Sequence, residues 1–199
     1  MRYRRIMKSG KAKRKSLRPG IAFAGRFRHH RACMQISLPE NSLAIRRAAA
    51  RLCGQLGWVP LHEVPLPNGR RADILALRPD GGFACIEVKS GPRDFLTDGK
   101  WQDYRAYSDA LYFAVDEQFP QTLLPHDTGL VVACVGPHCA PGSMIAQDAE
   151  ILREAPAHLL APARRRALMQ RFATIAAQRL AMIEDPAITA SLRAALRVE

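Results

Sequence analysis

Glu87, Lys89 and Asp73 are residues whose types and spacing could bind a metal ion. Glu87 and Lys89 are separated by one residue, so on a β-strand their side chains project from the same face. If the turn that follows the strand of Asp73 has an odd number of residues, Asp73 lies across from Glu87 or Lys89 on that face. Two carboxylates and an ammonium group at one end of a strand pair can hold a divalent cation. The simpler alternative is a salt bridge between Glu87 and Lys89 on a solvated strand, which stabilises little.

The segment Gly69–Ser90 predicts the hairpin that would bring these residues together. Its strands are predicted at about 72–77 and about 83–89. The sequence Pro-Asp-Gly-Gly at 79–82 between them combines a fixed φ with residues that tolerate positive φ. Because successive side chains of a strand alternate between faces, the residues on the other face of the second strand are predicted to be buried, namely Ala84, Ile86 and Val88.

An amphipathic helix and an extended segment are predicted before the hairpin. The helix begins at Asn41 or Ser42, has apolar residues at helical spacing and ends at Gly57. Residues 58–66 then read as extended chain with two prolines. Prolines remove backbone donors, so this segment is predicted to lie at the edge of a sheet or to pair irregularly.

The elements after the hairpin predict a layered α/β structure. Helical character runs from Arg93 to Ser108, with Gly99 as a point of interruption. Continuous apolar segments at 111–115 and 129–135 predict strands that are covered on both faces. Two short extended pieces follow, around 144–146 and 150–153.

Pro162 then begins a long helix that is predicted to reach about Ile183. Its predicted buried stripe consists of Leu168, Phe172, Ile175, Ala176 and Leu180. Taken together, the order of elements predicts an α/β fold with a mixed central β-sheet flanked by helices.

The basic residues are concentrated in an N-terminal tail. The formal net charge is +12, yet residues 1–39 hold twelve Lys and Arg and no acid, whereas 40–199 hold eighteen residues of each sign. We expect a disordered tail at 1–39, one domain at 40–185 and a short final helix at 186–199. The tail is open to three interpretations: a basic arm that contacts phosphates, an organelle-targeting peptide, or a stretch before a true start at Met34. We slightly favour the third, because folded character begins sharply after Met34.

Several classes of protein lack support in this sequence. The five cysteines form no Cys-x-x-Cys pair, which fits a reducing cytoplasm, and neither a bilayer-length apolar run nor a secretory signal is evident. We therefore expect a cytoplasmic protein. The sequence also has no Gly-rich phosphate loop, no Gly-x-Ser-x-Gly and no His-Glu-x-x-His, so nucleotide hydrolysis, serine hydrolysis and zinc proteolysis lose their usual signals.

Asp73 followed by Glu87-Val88-Lys89 resembles the signature of the PD-(D/E)XK nuclease superfamily, with Ala72 in place of the leading proline. A longer set of segments between about Ser42 and Leu180 resembles the MmcB family of bacterial DNA-repair proteins, which are assigned as endonucleases. These segments are 63–73, 87–90, Asp94-Phe95, Asp98, Lys100-Trp101, 103–105, 113–115 and 150–156.

The resemblance implies a restriction-endonuclease-like core and an Mg²⁺- or Mn²⁺-dependent endodeoxyribonuclease that acts in DNA repair, associated with the nucleoid. It implies that Asp73 and Glu87 bind the metal ion, with the backbone carbonyl of Val88 as a further ligand. Lys89 would orient the attacking water or stabilise the charged transition state. Glu63, on the neighbouring extended segment, is expected to be an additional metal ligand or to support one.

DNA is the partner that the resemblance implies, with other repair proteins or a second subunit as further partners. The residues expected to contact DNA are Arg70, Arg71, Lys100 and Tyr104, of which Lys100 is the strongest candidate. Strand alternation requires either Arg70 or Arg71 to point away from the site. For Lys100, Tyr104 and the neighbouring Asp94 and Asp98, an ordinary polar helix face is the alternative. The alternative function is a non-cleaving nucleic-acid-binding module on a nuclease fold that recognises DNA structure or recruits a repair partner.

Overall fold

One six-stranded β-sheet with helices on both faces forms the framework of the described chain. The structure, a computed structural model, describes residues 38–135 and 148–185, together with 187, 188 and 191. The α-helices are α1 (Leu38–Gln55), α2 (Pro92–Thr97) and α3 (Pro162–Glu184), and short 3₁₀ helices cover Trp101–Tyr107 and Gln121–Leu123. The strands are β1 (Val59–Pro65), β2 (Arg71–Leu77), β3 (Phe83–Val88), β4 (Ala110–Asp116), β5 (Gly129–Ala133) and β6 (Ala149–Arg153).

The strands lie in the sheet in the same order as in the chain, from β1 at one edge to β6 at the other. The pairs β1–β2, β2–β3 and β5–β6 are antiparallel, whereas β3–β4 and β4–β5 are parallel. The predicted mixed sheet flanked by helices is therefore confirmed, and it is consistent with a restriction-endonuclease-like core. The prediction that residues 58–66 form an edge strand is also confirmed.

The two faces of the sheet are covered by different helices. Helix α1 packs its apolar stripe on the face that carries Ile74, Ile86 and Val88. The opposite face, which carries Phe83 and Cys85, packs against the 3₁₀ helix 101–107 and α3. Burial of both faces explains the continuous apolar runs of β4 and β5, and it confirms the predicted alternation of side chains along β3.

The β2–β3 hairpin has the geometry that places the two acids together. Leu77 pairs with Phe83 and Ile74 with Ile86, across a five-residue turn in which Gly81 has a φ of +77°. Glycine adopts this left-handed conformation without the steric cost that other residues incur. Continuing the register by one residue brings Asp73 opposite Glu87, because the turn has an odd number of residues.

Three predicted helices differ from the observed ones, and for α1 the difference is only in its ends, which are Leu38 and Gln55 rather than Asn41 or Ser42 and Gly57. The predicted helix 93–108 is divided into α2 and the 3₁₀ helix 101–107, with the break next to Gly99. In α3, Leu168 and Phe172 are buried as predicted, but Leu180 is 54% exposed, so the predicted stripe was wrong at its C-terminal end. The reason is that the apolar contacts of α3 with the sheet and with the 3₁₀ helix 101–107 come from Leu168, Met169, Phe172 and Ile175, which precede Leu180.

Some predicted segments lie outside the described residues. These are the basic tail, apart from Leu38 and Pro39 at the start of α1, the extended piece around 144–146, and most of the predicted helix at 186–199. Among the helices that the structure describes, none has the length and apolar character needed to cross a membrane.

Asp109 is a buried polar residue that joins four segments at the start of β4. Its carboxylate accepts the backbone N–H of Phe83 at 2.8 Å and of Leu160 at 2.9 Å, and it binds both terminal nitrogens of Arg165 at 2.9 and 2.5 Å. Burial alone would raise the pKa of Asp109, but the hydrogen bonds from Leu160 and Arg165 outweigh it and hold the pKa below its ordinary value. The ionised carboxylate therefore ties β3 and β4 to α3. Arg165, in the basic cluster that opens α3, thus has a structural partner.

Candidate active site

Asp73 and Glu87 are linked by hydrogen bonds at the end of the hairpin where the ladder between β2 and β3 stops. The backbone N–H of Asp73 donates to Glu87 Oε1 at 3.3 Å. In return, the backbone N–H of Val88 donates to Asp73 Oδ2 at 2.8 Å. Each carboxylate thus takes the place of a backbone acceptor on the opposite strand, which holds the two acidic groups side by side. The structure brings these two predicted site residues together.

The environment of the acid pair favours binding of a proton or a metal ion. Glu87 is only 3% exposed, and its pKa is raised to about 8, first by burial and then by the adjacent Asp73 carboxylate. Burial also raises the pKa of Asp73, and the Glu63 carboxylate adds to this effect. Two buried carboxylates cannot both be ionised without cost unless a cation compensates them.

The oxygen donors of the pair suit a hard divalent cation. Within the described chain, no residue donates a hydrogen bond to Asp73 Oδ1 or Glu87 Oε2. No group of three or more His, Cys, Asp or Glu in that part of the chain is arranged to hold a metal ion. Mg²⁺ commonly binds through one or two carboxylates and takes its other ligands from water and substrate phosphates. The acid pair fits this mode of binding.

Lys89 lies directly beyond Glu87 on the same face, as predicted. Its side chain is 6% exposed, and its Nζ donates to Asp98 Oδ2 at 2.6 Å. Its backbone N–H donates to the carbonyl of Ala114 at 2.9 Å, which extends the pairing of β3 with β4. The structure therefore binds the ammonium group to Asp98, and its positive charge partly offsets the raised pKa values of Asp73 and Glu87.

Glu63 lies on β1 across from Asp73, between the paired residues 62 and 64. Its carboxylate forms ion pairs with Arg46 of α1 and with Arg71, whose Nε lies 2.5 Å from Oε2. The φ of Glu63 is +51°, a strained value for a non-glycine residue, and Arg179 of α3 donates to its carbonyl at 3.3 Å. The observed partners of the Glu63 carboxylate are arginines. Its role as a metal ligand stays a prediction.

The four residues predicted to contact DNA are placed in different environments. Arg70 donates twice to Asp103 Oδ2, at 3.1 and 3.0 Å, whereas Arg71 is 69% exposed beside Glu63. Lys100 is exposed, and no residue of the described chain pairs with its side chain. Tyr104 is buried and donates its hydroxyl to the carbonyl of Arg71 at 3.2 Å. Arg71 and Lys100 therefore have accessible side chains, whereas Tyr104 is buried and hydrogen-bonds to the backbone of β2.

The sequence did not predict that Arg46 and Asp98 form ion pairs with residues of the site. Arg46 lies on α1, and its ion pair with Glu63 depends on how α1 crosses the sheet. Asp98 was considered only as a substrate contact or a polar helix residue, and its contact with Lys89 depends on the break after α2. Strand alternation carries no information about either contact.

Comparison with known proteins gives a family and one solved structure of similar fold. A family profile described as DNA repair protein MmcB-like matches residues 29–187. A solved structure of a protein of unknown function from Silicibacter pomeroyi is 40% identical, with a TM-score of 0.64, and the match covers 77% of this chain and 95% of that chain. Among curated proteins, none matches the chain significantly.

Proposed function

Because the chain belongs to the MmcB-like family of DNA repair proteins, we propose that it is a metal-dependent endonuclease that hydrolyses phosphodiester bonds of DNA during repair. The observation that carries this proposal is the hydrogen-bonded pair of Asp73 and Glu87, in which Glu87 is buried, with the buried Lys89 two residues after Glu87. Family membership indicates a DNA repair role, and the acid pair with its lysine supplies groups suited to the hydrolysis of a phosphate ester.

Each residue of the site has a role in this proposal. Asp73 and Glu87 would hold Mg²⁺ or Mn²⁺, with the carbonyl of Val88 as a further ligand. When bound, such an ion stabilises negative charge on the phosphoryl oxygens and lowers the pKa of water. The Lys89 side chain is 6% exposed and its ammonium is paired with Asp98. In this proposal the ammonium orients the attacking water or stabilises the charge that develops on the phosphate.

Positively charged side chains around the site would bind the DNA backbone. Arg71 and Lys100 are accessible and would contact phosphates on either side of the scissile bond. The Glu63 carboxylate beside Arg71 restricts the guanidinium to one region of the surface. These contacts would position DNA without reading its sequence.

Cleavage of structured DNA is the direct test of the proposed function. We expect the protein to cut at least one of a set of flaps, forks, abasic duplexes and crosslinked duplexes in Mg²⁺ or Mn²⁺, and none of them in EDTA. Asp73→Asn should abolish cutting because it removes one of the two carboxylates. Wild-type protein that binds these DNAs in Mg²⁺ or Mn²⁺ but cuts none of them would contradict the proposal and favour the non-cleaving module.

Binding of Mg²⁺ is expected to depend on pH through the acid pair. Since the pKa of Glu87 is raised to about 8, its carboxyl carries a proton below that pH, and this proton must leave when the cation binds. The affinity for Mg²⁺ should therefore rise by about tenfold per pH unit between pH 6 and 8 and level off above pH 8. Titration calorimetry in buffers of different ionisation enthalpy measures both the affinity and the protons released.

The control for this titration is Glu87→Gln, which has nearly the same shape but no ionisable group. It should bind Mg²⁺ weakly, and its remaining affinity should vary much less with pH. An affinity of the wild-type protein that stays constant between pH 6 and 8 would show that Glu87 is already ionised at pH 6, and an undiminished affinity of Glu87→Gln would contradict its assignment as a ligand.

A further inference from the structure

Asp98 lies between α2 and the 3₁₀ helix 101–107 and has both carboxylate oxygens in use. Oδ2 accepts a hydrogen bond from Lys89 Nζ at 2.6 Å, and Oδ1 accepts the backbone N–H of Lys100 at 3.2 Å. The backbone N–H of Asp98 donates to the carbonyl of Phe95 at 3.1 Å, which closes α2. The carboxylate is thus oriented by its own turn as well as by the lysine.

The segment that carries Asp98 is anchored on both sides by aromatic contacts. The ring of Phe95 packs edge-on against Phe113 with centroids 5.3 Å apart, and the ring of Trp101 does the same at 5.6 Å. Phe113 of β4 is the parallel partner of Glu87 on β3. The two anchors therefore hold the segment with Asp98 against β4, the strand that pairs with the Glu87-bearing β3.

Lys89 needs such a partner because its long side chain has several rotatable bonds. A free lysine side chain populates many rotamers, so its ammonium is not fixed by the strand alone. The ammonium is nearly buried, and an unpaired buried charge is costly. Asp98 compensates the charge and fixes the ammonium in one position.

We propose that Asp98 is a positioning residue that holds the Lys89 ammonium at the acid pair and thereby determines the rate of cleavage. This inference rests on the proposed function. Because Asp98 acts through Lys89, its loss should reduce kcat and leave the KM for DNA nearly unchanged. The Asp98 side chain is one-quarter exposed, and its replacement by Asn leaves the Lys89 side chain, which is 6% exposed, without a charged partner.

The test compares Asp98→Asn and Asp98→Glu with the wild-type protein on a DNA that the wild type cleaves. Asn keeps an oxygen for the Lys100 N–H but loses the charge, and we expect kcat to fall by about 10- to 100-fold with KM within about twofold. Glu restores the charge and should recover most of the lost kcat. A wild-type kcat in Asp98→Asn would overturn the inference.

The matched control is Asp94→Asn. Asp94 lies in the same segment and accepts the backbone N–H of Ser90 at 3.2 Å, and Lys89 does not contact it. If Asp98 only orders the segment, the two Asn variants should lose similar activity, and this result would also overturn the inference.

A double-mutant cycle tests whether Asp98 acts through Lys89. In the Lys89→Met background, single-turnover rates should not fall further when Asp98→Asn is added, because the group that Asp98 positions is already absent. If the two substitutions instead lower the single-turnover rate independently, so that their fold-losses multiply in the double variant, the inference is contradicted while the proposed function stands. A wild-type protein that cuts no DNA would instead refute the proposed function and, with it, this inference.

Discussion

Replacing Lys89 by methionine is expected to lower the rate of DNA cleavage by about 10²- to 10⁴-fold while changing DNA affinity by less than about twofold. The ammonium of Lys89 is bound to Asp98 and acts electrostatically on Glu87, and in the proposed mechanism its positive charge stabilises a transition state with negative charge on the phosphate. Methionine preserves most of the buried stem of lysine, so the loss should reflect the missing charge. Single-turnover cleavage and equilibrium DNA binding measure the two quantities separately.

Lys100→Met is the control for a general effect of lost positive charge. Lys100 is exposed and is proposed to contact a phosphate, so its replacement should weaken DNA binding and reduce the salt dependence of binding by about one ion. Its effect on the single-turnover rate at saturating protein should be small. Full activity of Lys89→Met, or equal losses of single-turnover rate in both variants, would argue against a catalytic role for Lys89.

Replacing Asp109 by alanine is expected to lower the free energy of unfolding by about 3 to 5 kcal/mol. The substitution leaves Arg165 without its buried partner and removes the acceptor for the N–H groups of Phe83 and Leu160. Asp109 lies beside the start of β3, about 16 Å along the strand from Val88 at its end. The variant should therefore lose stability, measured as the urea midpoint, while folded protein keeps its cleavage activity.

The same carboxylate predicts how the wild-type protein responds to acid. A group whose folded-state pKa is depressed stabilises the fold above its unfolded pKa, here near 3.8, and this contribution is lost as the pH falls through the folded pKa. The difference in stability between wild type and Asp109→Ala should accordingly persist at neutral pH and shrink in strong acid.

Asp127→Ala provides the matched control for Asp109→Ala. Asp127 also forms an ion pair with an arginine, Arg105, at 2.7 Å, but its side chain is 66% exposed. Exposed pairs contribute less than about 1 kcal/mol because water competes for both charges. If Asp109→Ala has the same free energy of unfolding as Asp127→Ala, the buried ion pair of Asp109 stabilises the fold no more than an exposed one, which would contradict this prediction.

The hairpin and its acid pair were predictable because both follow from local rules. Alternation along a strand assigned Glu87 and Lys89 to one face. The position of Asp73 was conditional on a turn with an odd number of residues, and the observed turn has five. In the same way, the continuous apolar residues of β4 and β5 and the alternation along β3 predicted which faces of the sheet are buried. These predictions depend on residues close in sequence, which explains why they agree with the structure.

Contacts that depend on packing between elements were not predictable. The positive φ of Glu63 has no sequence signal, because the residue is not a glycine, so the direction of its side chain toward Arg46 and Arg71 was undetermined. The salt bridge from Asp98 to Lys89 requires the break between α2 and the 3₁₀ helix. Leu180 has helical spacing suited to burial, but only the position of α3 at the sheet edge decides that it is exposed.

The agreement between strand order in the sheet and strand order in the chain has a consequence for how the protein folds. Asp73 and Glu87 are 14 residues apart in sequence, and Lys89 and Asp98 are 9 apart, whereas Asp109 and Arg165 are 56 apart. Contacts between residues close in sequence require short loops to close, and they form faster than distant ones. The proposed catalytic residues and Asp98 thus belong to one continuous segment, 73–98, which can fold early. The contact between Asp109 and Arg165 of α3 can form only when distant parts of the chain meet.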